Sequence, residues 1–371
     1  MIAGVVAIPR LVGNDERVDL PVNPPVQPML AKAVTVVPDQ PADGPVWSYE
    51  PKWDGFRALI FRDGDEVVMA SRGGKDLARY FPELVDAART SLPDRVVLDG
   101  EVAVARPVAG VNRLDWDSLS QRIHPAASRI AKLAAETPAV FIGFDALATG
   151  TLDLTGETFD VRRRALVEAA AGVDDPRIQV SRVTQDAEQA VAWFTEFEGA
   201  GLDGVVGKRL DGHYVPGKRE MVKIKHKRTA DCVVIGYRVH KSGTGLGSML
   251  LGLYADGELR MVGGSSAFAD KKRIELQEMF EPMRLDPDTV AQGGVSRWRS
   301  AGSAEWIPIR PELVAEFAYD QMESSRFRHT VKFVRWRPDR DPESCGYDQL
   351  DVPLTYDVYD VLETGEADDA S

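Results

Sequence analysis

Cysteine and histidine are scarce in this chain, whose 371 residues include 2 cysteines and 5 histidines. Cys232 and Cys345 form no C-x-x-C pair, and the histidines follow no ligand spacing, which argues against a zinc site or a disulfide framework. No run of about 18 apolar residues is present, so no membrane span is expected. Residues 1–9 are apolar but lack a basic start and a cleavage site, so they predict no signal peptide. A reducing cytoplasm is the expected location.

The chain also lacks the basic excess that is typical of nucleic-acid-binding proteins, since its formal net charge is −13. Its basic residues are nevertheless clustered, and two clusters in an acidic chain can still form a phosphate-binding face. For either cluster alone, a solvated surface is an equally good interpretation. The clusters consist of Lys218, Arg219, Lys223, Lys225, Lys227 and Arg228, and of Arg326, Arg328, Lys332, Arg335, Arg337 and Arg340.

The distribution of apolar residues predicts an α+β protein with two domains. Residues 1–24 have no clear period and predict an extended arm. Residues 25–229 combine short strands with helices and predict a mixed domain. Residues 230–355 are rich in strands separated by glycine turns, which suits a small barrel such as an OB-fold. Residues 356–371 are interpreted as an acidic tail, disordered from residue 363 onward.

Two segments have the apolar spacing of amphipathic helices. In residues 186–198 the predicted inner face includes Val191, beside Ala187, Ala190, Phe194 and Phe197. In residues 270–283 the predicted inner face consists of Ile274, Leu276, Met279 and Phe280.

The string Lys52-Trp53-Asp54-Gly55 is the first of an ordered series of short motifs. Alone, a K-x-D-G string is a weak signal. The rest of the series falls on predicted strand ends and turns, where functional groups are often held. It consists of Ser71-Arg72-Gly73-Gly74, Leu98-Asp99-Gly100-Glu101, Phe144-Asp145, Asp203-Gly204-Val205-Val206-Gly207-Lys208, Lys223-Ile224-Lys225 and Arg337-Pro338-Asp339-Arg340.

These residue types suit attack by a lysine on a nucleotide phosphate. A lysine must lose its proton before it can attack, and a metal, nearby cations or desolvation can lower its pKa. Mg²⁺ prefers oxygen ligands, which carboxylates can supply. The basic pair near residue 224 could neutralise pyrophosphate, and an aromatic ring could stack on a base. The candidates are Lys52 as nucleophile, Asp54, Glu101 and Asp203 for the metal, Lys223 and Lys225 for phosphate, and Phe144 for the base.

Each residue alone also has an ordinary structural interpretation. Asp99 and Glu101 could lie on the exposed face of a strand, and Phe144 is more often a core residue. Lys52, Lys223 and Lys225 could be solvated surface lysines. The occurrence of all the motifs in one order favours the catalytic interpretation.

In its motifs the sequence resembles the covalent nucleotidyltransferase superfamily, and within it the ATP-dependent DNA ligases. The resemblance covers about residues 25–345. The short two-domain layout is similar to the LigC-type repair ligases of actinobacteria. The resemblance implies an adenylation domain followed by an OB domain, with ATP and Mg²⁺ or Mn²⁺ as cofactors. It implies adenylation of Lys52, transfer of AMP to a DNA 5′-phosphate, and attack by the 3′-hydroxyl.

The resemblance also implies a role for each motif residue. Around the nucleotide these are Glu50 at the adenine edge, Phe144 stacked on adenine, Glu101 on the ribose, Arg57 and Asp54 at the nucleotide and metal waters, and Lys223 and Lys225 on the α-phosphate. Arg337, Asp339 and Arg340 would orient pyrophosphate when the OB domain closes. The 5′-phosphate of the nick would meet Arg72, with Lys218, Arg219, Lys227 and Arg228 as further DNA contacts.

Two motif positions depart from the family pattern. Motif IV usually begins with Glu, and Asp203 is one methylene shorter, which leaves its help to the metal open. The last residue of motif VI is usually Lys, and Arg340 keeps the charge with a different geometry.

The alternatives to a DNA ligase are an RNA ligase, an mRNA capping guanylyltransferase and a nucleotide-binding repair scaffold without catalysis. The expected partner is nicked double-stranded DNA, with a gap-filling repair polymerase as a possible protein partner. The chain is expected to be a monomer and to have no membrane association.

Overall fold

A computed structural model describes residues 18–44, 46–108, 110–226, 228–285, 306–323, 325–350 and 355–363. The chain forms two compact units, one consisting of residues 1–225 and 353–371 and the other of residues 226–352. The first change of unit falls after Lys225, close to the boundary predicted at residue 229.

The first unit is a mixed α+β domain, as the sequence predicted. Its helices are α1 Pro82–Ser91, α2 Trp116–Gln121, α3 Ala127–Glu136, α4 Phe159–Ala170 and α5 Ala187–Glu196. Its strands are β1 Leu30–Val34, β2 Trp47–Pro51, β3 Phe56–Asp63, β4 Glu66–Ser71, β5 Arg95–Ala103, β6 Ala105–Val108, β7 Val111–Leu114, β8 Val140–Thr149, β9 Leu152–Asp153, β10 Ile178–Val180, β11 Val205–Arg209 and β12 Arg219–Ile224.

Two sheets of the first unit carry the sequence motifs. One has the strand order β1-β12-β11-β2, and the other has the order β10-β8-β5-β3-β4 with β9 paired to β8. In the first sheet Glu50, Val206 and Lys223 lie opposite one another on three neighbouring strands. In the second sheet Arg57 on β3 lies opposite Glu101 on β5. The registers therefore bring residues from distant motifs onto shared sheet faces.

Helix α5 begins at a side-chain cap and turns its tryptophan inward. Asp186 caps it, because its carboxylate accepts hydrogen bonds from the backbone N–H groups of Glu188 and Gln189. Ala190 and Trp193 are buried, whereas Val191 is 51% exposed. The predicted inner face was therefore wrong at Val191, since the buried stripe is centred on Trp193.

The second unit is β-rich, and its described residues include one long helix, α6 Asp270–Phe280. Its largest sheet has the order β15-β14-β13-β17-β20, with β16 paired to β13. The first strand of the unit lies between the second and the fourth long strands, in agreement with the predicted OB-fold. The strands are β13 Arg228–Val239, β14 Leu246–Ala255, β15 Glu258–Ser265, β16 Ile307–Pro308, β17 Val314–Tyr319, β18 Met322–Glu323, β19 Arg326–Phe327 and β20 Lys332–Trp336.

Helix α6 buries a narrower stripe than its sequence predicted. Leu276 and Phe280 are in the core, while Ile274 and Met279 are 47% and 42% exposed. The i, i+4 pair alone faces the sheet, so the wider apolar face was wrong at two positions.

The prediction of an acidic tail from residue 356 is wrong for residues 356–363. Helix α7, Val358–Glu363, belongs to the first unit, and Val358 and Val361 are buried there. The Tyr356 ring packs edge-on against Phe197 with 5.0 Å between ring centroids. Apolar burial outweighs the acidic composition of this segment, because its acids lie beside the buried stripe. The disorder expected at the end of the chain falls on residues 364–371, outside the described ones.

The predicted N-terminal arm packs against the first unit over its described part. Val18, Leu20 and Val22 are buried in one apolar cluster with Leu59 and Phe61 of β3. Residues 1–17 lie outside the described part of the chain.

Candidate active site

Backbone hydrogen bonds join Lys52 to the Asp203-Gly204 pair. Lys52 follows β2, and its N–H donates to the carbonyl of Gly204 at 2.8 Å while its own carbonyl accepts from the Asp203 N–H at 3.0 Å. Gly204 has a φ of +131°, and a Cβ there would stand 2.0 Å from the Ile224 carbonyl oxygen. Only glycine allows this approach, so the Asp203-Gly204 pair fixes the lysine's position.

Three charged side chains form an ion triad at this point. The Asp203 carboxylate oxygen Oδ2 lies 2.7 Å from the Nζ of Lys52 and 2.6 Å from the Nζ of Lys225. Burial alone would lower the pKa of Lys52, but the carboxylates of Asp203, Glu101 and Asp54 outweigh it and raise that pKa. Burial would raise the pKa of Asp203, yet the two lysines hold it below its ordinary value. Lys52 is therefore protonated in this state and must lose a proton before it can attack.

Glu101 stands beside this triad on β5. Burial raises its pKa from 4.5 to about 7, although the charges of Arg57 and Lys52 oppose the shift. The strand carrying it lies so close to the K-x-D-G turn that a Cβ on Gly55 would stand 2.1 Å from the Val102 carbonyl oxygen. The glycine of the motif thus allows Lys52 and Glu101 to share one region.

Arg57 is held by a partner that the motif reading missed. Its Nε and Nη2 donate to the two carboxylate oxygens of Asp99 at 2.5 and 2.6 Å. The Tyr214 hydroxyl also donates to Asp99 at 2.7 Å. Asp99 is fully buried, so the alternative that it lies on an exposed strand face is wrong. Alternation could not decide this, because β5 is covered on both faces.

The same guanidinium lies over the ring of Phe144, with its Cζ 4.4 Å from the ring centroid. Phe144 is buried but lines the central cavity. An adenine ring that stacks on Phe144 would share the ring with Arg57 or displace it.

Glu50 is paired with a buried lysine. The Nζ of Lys208 lies 2.9 Å from Oε1 of Glu50 and donates to the Phe144 carbonyl at 2.8 Å. Lys208 ends the motif that begins at Asp203, and the sequence alone assigns it no role. The strand register explains the contact, because Lys208 lies diagonally across from Glu50 on the same sheet face.

A cavity of about 220 Å³ connects many of these residues. It brings together eight of the predicted site residues, while Asp203 and Lys225 join them through the ion pair to Lys52. Burial is the largest cause that lowers the pKa of Lys223 at this cavity, and its positive neighbours lower it further. The eight are Glu50, Lys52, Arg57, Arg72, Glu101, Phe144, Arg219 and Lys223.

Three carboxylates near Lys52 are the candidate ligands for a divalent metal. Asp54, Glu101 and Asp203 all act electrostatically on Lys52. Within the described ranges, however, no group of three His, Cys, Asp or Glu side chains is arranged to hold an ion. Mg²⁺ often binds through one or two carboxylates plus waters and substrate phosphates. The residues therefore fit a metal that arrives with a nucleotide.

The residues predicted to orient pyrophosphate lie in the second unit, where they form ion pairs. Arg337 lies 2.9 Å from Asp231 and 2.8 Å from Asp339, and Arg340 lies 3.4 Å from Asp231. These ion pairs raise the pKa of Arg337, with the hydrogen bond to Asp339 as the largest cause. The sequence analysis did not single out Asp231, which lies within the buried run of β13, and its sequence context gives no sign of this contact.

The predicted DNA-contacting cluster is only partly exposed. Lys218 and Arg219 are exposed. Arg228 is only 9% exposed and donates to the Asp320 carbonyl at 3.0 Å, so the structure does not support it as a surface contact. Its side chain is used within the second unit. Lys227 lies outside the described residues.

Comparisons with known proteins agree with this geometry. A family model for the ATP dependent DNA ligase domain matches residues 28–225, and one for the ATP dependent DNA ligase C terminal region matches residues 242–340. DNA ligase C1 of Mycolicibacterium smegmatis is 62% identical over 352 residues, covering 93% of this chain and 99% of the relative. DNA ligase C of Mycobacterium tuberculosis is 50% identical over 362 residues, covering 92% and 98%.

A more distant relative is the multifunctional non-homologous end joining DNA repair protein LigD of Mycobacterium tuberculosis. It is 30% identical over 321 residues, which cover 85% of this chain and 39% of LigD. The solved structure of Pmar-Lig_PreS3 shares the fold, with a TM-score of 0.55 at 17% identity and coverage of 84% of this chain and 68% of that one.

The chain therefore belongs to the ATP-dependent DNA ligases. Within them it groups with the short two-domain LigC-type enzymes, as the two-domain layout predicted. It is an enzyme that uses ATP and acts on nicked DNA. No helix among the described residues is long and apolar enough to cross a membrane.

Proposed function

We propose that Lys52 carries the AMP through which this ligase seals nicks between a 3′-hydroxyl and a 5′-phosphate. The observation that supports this is the triad of Lys52, Asp203 and Lys225 beside a nucleotide-sized cavity. Lys52 first loses its proton to solvent water, because Asp203, whose pKa the two lysines hold below its ordinary value, is a poor acceptor. The neutral amine then forms a bond to the α-phosphorus of ATP. The bond to the bridging oxygen breaks, and pyrophosphate leaves with that electron pair.

Different residues in and beside the cavity bind different parts of the nucleotide. Glu50 faces the adenine edge, Phe144 stacks on the base, and Glu101 binds the ribose. Lys223 and Lys225 hold the α-phosphate, with Lys225 also orienting Asp203 at 2.6 Å. Arg57 supports the base by lying over Phe144, and its fork to Asp99 keeps it in place.

A divalent metal, Mg²⁺ or Mn²⁺, would be held by Asp54 and Glu101 together with the phosphates and water. When bound, it neutralises phosphate charge and lowers the pKa of a nearby ammonium. Asp203 is already shared between two lysines, so its main role is to orient them. The shorter side chain in place of the usual Glu is consistent with this role.

Arg337, Asp339 and Arg340 orient pyrophosphate during loading. Both arginines are paired with Asp231 in this structure. A phosphate group would have to compete with that carboxylate, which makes Asp231 a natural resting partner for the two cations.

DNA is bound through local basic surfaces. Arg72 contacts the 5′-phosphate of the nick, and Lys218 and Arg219 contact the backbone, with Lys227 as a further sequence-based candidate. Arg72 and Arg219 line the same cavity as Lys52, which supports a phosphate-binding role for them beside the proposed nucleophile.

A role in DNA repair is supported by the name of LigD, which is called a non-homologous end joining DNA repair protein. A gap-filling polymerase as partner, a monomeric state and a cytoplasmic location complete the proposal.

Loading with α-labelled ATP or GTP, followed by a denaturing gel, tests the proposed nucleotide chemistry. We expect an acid-labile, alkali-stable label from ATP in the wild type and none in Lys52→Ala or Lys52→Arg, because guanidinium stays protonated. Label from GTP alone would indicate a guanylyltransferase, and no label would indicate a scaffold. Parallel sealing of nicked DNA and nicked RNA separates the two ligase classes.

A further inference from the structure

Lys208 connects three strands beside Glu50 and Phe144, two residues that line the cavity. From β11 its Nζ reaches Glu50 on β2 at 2.9 Å and the Phe144 carbonyl on β8 at 2.8 Å. The lysine is 3% exposed. A buried lysine needs such partners, and these two belong to residues assigned to the base.

The second carboxylate oxygen of Glu50 is available to accept a hydrogen bond from a ligand. Among the described atoms, Oε2 of Glu50 is buried and accepts no hydrogen bond. Leaving a buried acceptor unsatisfied costs about 1–3 kcal/mol. Glu50 and Phe144 both line the 220 Å³ cavity, so a donor carried by a bound base can satisfy this oxygen.

We propose that Lys208 is a positioning residue that sets purine specificity, by fixing Glu50 as an ionised acceptor for the 6-amino group of adenine. The proposal rests on the proposed function of the cavity as a nucleotide site. Adenine presents an amino donor at C6, whereas guanine presents a carbonyl acceptor there. A carboxylate can only accept, so an ionised Glu50 binds the first and repels the second.

The charges around Glu50 determine whether it stays ionised. Burial raises the pKa of Glu50, and Asp145 raises it further, while Lys208 and Arg163 lower it. Lys208 is the strongest of the opposing groups and the one in direct contact. Without the positive charge of Lys208, Glu50 takes up a proton more readily. The resulting carboxylic acid can donate a hydrogen bond to the guanine carbonyl.

The test is equilibrium binding of ATP and GTP to the full-length chain by calorimetry, from pH 6 to pH 8.5. We expect the wild type to prefer ATP across this range. Lys208→Met keeps the length of the side chain and removes its charge, and should reduce the preference roughly tenfold or more, most strongly at low pH. Lys223→Met is the matched control in the same cavity. It should weaken both nucleotides alike and leave their ratio unchanged.

A second variant tests whether Lys208 acts through Glu50. In Glu50→Gln the pH dependence should disappear, and adding Lys208→Met should change the ratio little further. An unchanged ATP preference in Lys208→Met at every pH would overturn the proposal, as would additive effects in the double variant. Lys208→Arg retains the charge but changes the packing. If it folds and keeps the wild-type preference for ATP, the loss in Lys208→Met is due to charge and not to packing. Because binding is measured, a wild type that prefers ATP but forms no lysyl adduct would refute only the proposed function.

Discussion

The raised pKa of Glu101 predicts a specific pH dependence of stability. In the unfolded chain this carboxyl ionises near pH 4.5, whereas in the folded chain its pKa is about 7, chiefly through burial. Below pH 4.5 it is protonated in both states and costs nothing. As the pH rises towards 7, the unfolded state ionises first and the folded state loses stability, and above pH 7 the loss is complete.

The size of this loss follows from the shift. The pKa difference of about 2.5 between the two states, at about 1.4 kcal/mol for each pKa unit, corresponds to at most about 3.5 kcal/mol. Glu101→Gln removes the charge and should therefore be more stable than the wild type at pH 8, and nearly equal to it at pH 4.5. For a unit of this size the gain corresponds to a melting temperature at most roughly 7–14 °C higher at pH 8.

The assay is thermal unfolding of both proteins without nucleotide or metal, at several pH values between 4.5 and 8. Glu66→Gln, which changes an exposed carboxylate on β4 of the same unit, is the matched control and should show no widening gap. A Glu101→Gln variant that is less stable at pH 8, or a gap that does not change with pH, would refute the reasoning that Glu101 is ionised at a cost.

Three further predictions concern loading and DNA binding. Asp203→Asn should shift the pH dependence of self-adenylation to lower pH, because Asp203 raises the pKa of Lys52; an unshifted profile would count against the triad. Arg337→Ala should slow self-adenylation and leave sealing of a pre-adenylated nick nearly normal, whereas equal losses would mean that motif VI is misassigned. Multiple-turnover sealing should fall steeply with salt, with a slope near −0.9 per contact and on the order of five phosphate contacts. Self-adenylation should fall much less, and coinciding salt curves would contradict the proposed DNA surface.

The ordered motifs predicted the location of the nucleophile because their glycines impose local geometry. Gly55 and Gly204 allow backbone approaches that bring Lys52 beside Glu101 and Asp203, and these constraints are local enough to be visible in the sequence. The α+β and β-rich character of the two domains was likewise visible from strand patterns and turns.

What the sequence did not reveal depends on tertiary partners. Lys208 and Asp99 are charged residues on strands, and only the packed sheets show that each is buried against a specific partner. Arg228 belongs to a basic run, yet it is buried because it meets the Asp320 carbonyl. The acids around Val361 predict a tail, because a helix of 6 residues carries too little periodic signal to predict its docking.

The most direct test of the account is a single-turnover chase from a preloaded enzyme. The protein is loaded with α-labelled ATP, freed of nucleotide, and mixed with excess nicked DNA and Mg²⁺ without further ATP. Peptide mass spectrometry of the loaded protein should find AMP on Lys52. The chase should move the label to a DNA-adenylate and then to free AMP, with about one nick sealed per labelled enzyme. Label on another lysine, or ATP-dependent sealing by Lys52→Ala, would contradict the claim that AMP stored on Lys52 seals the nick.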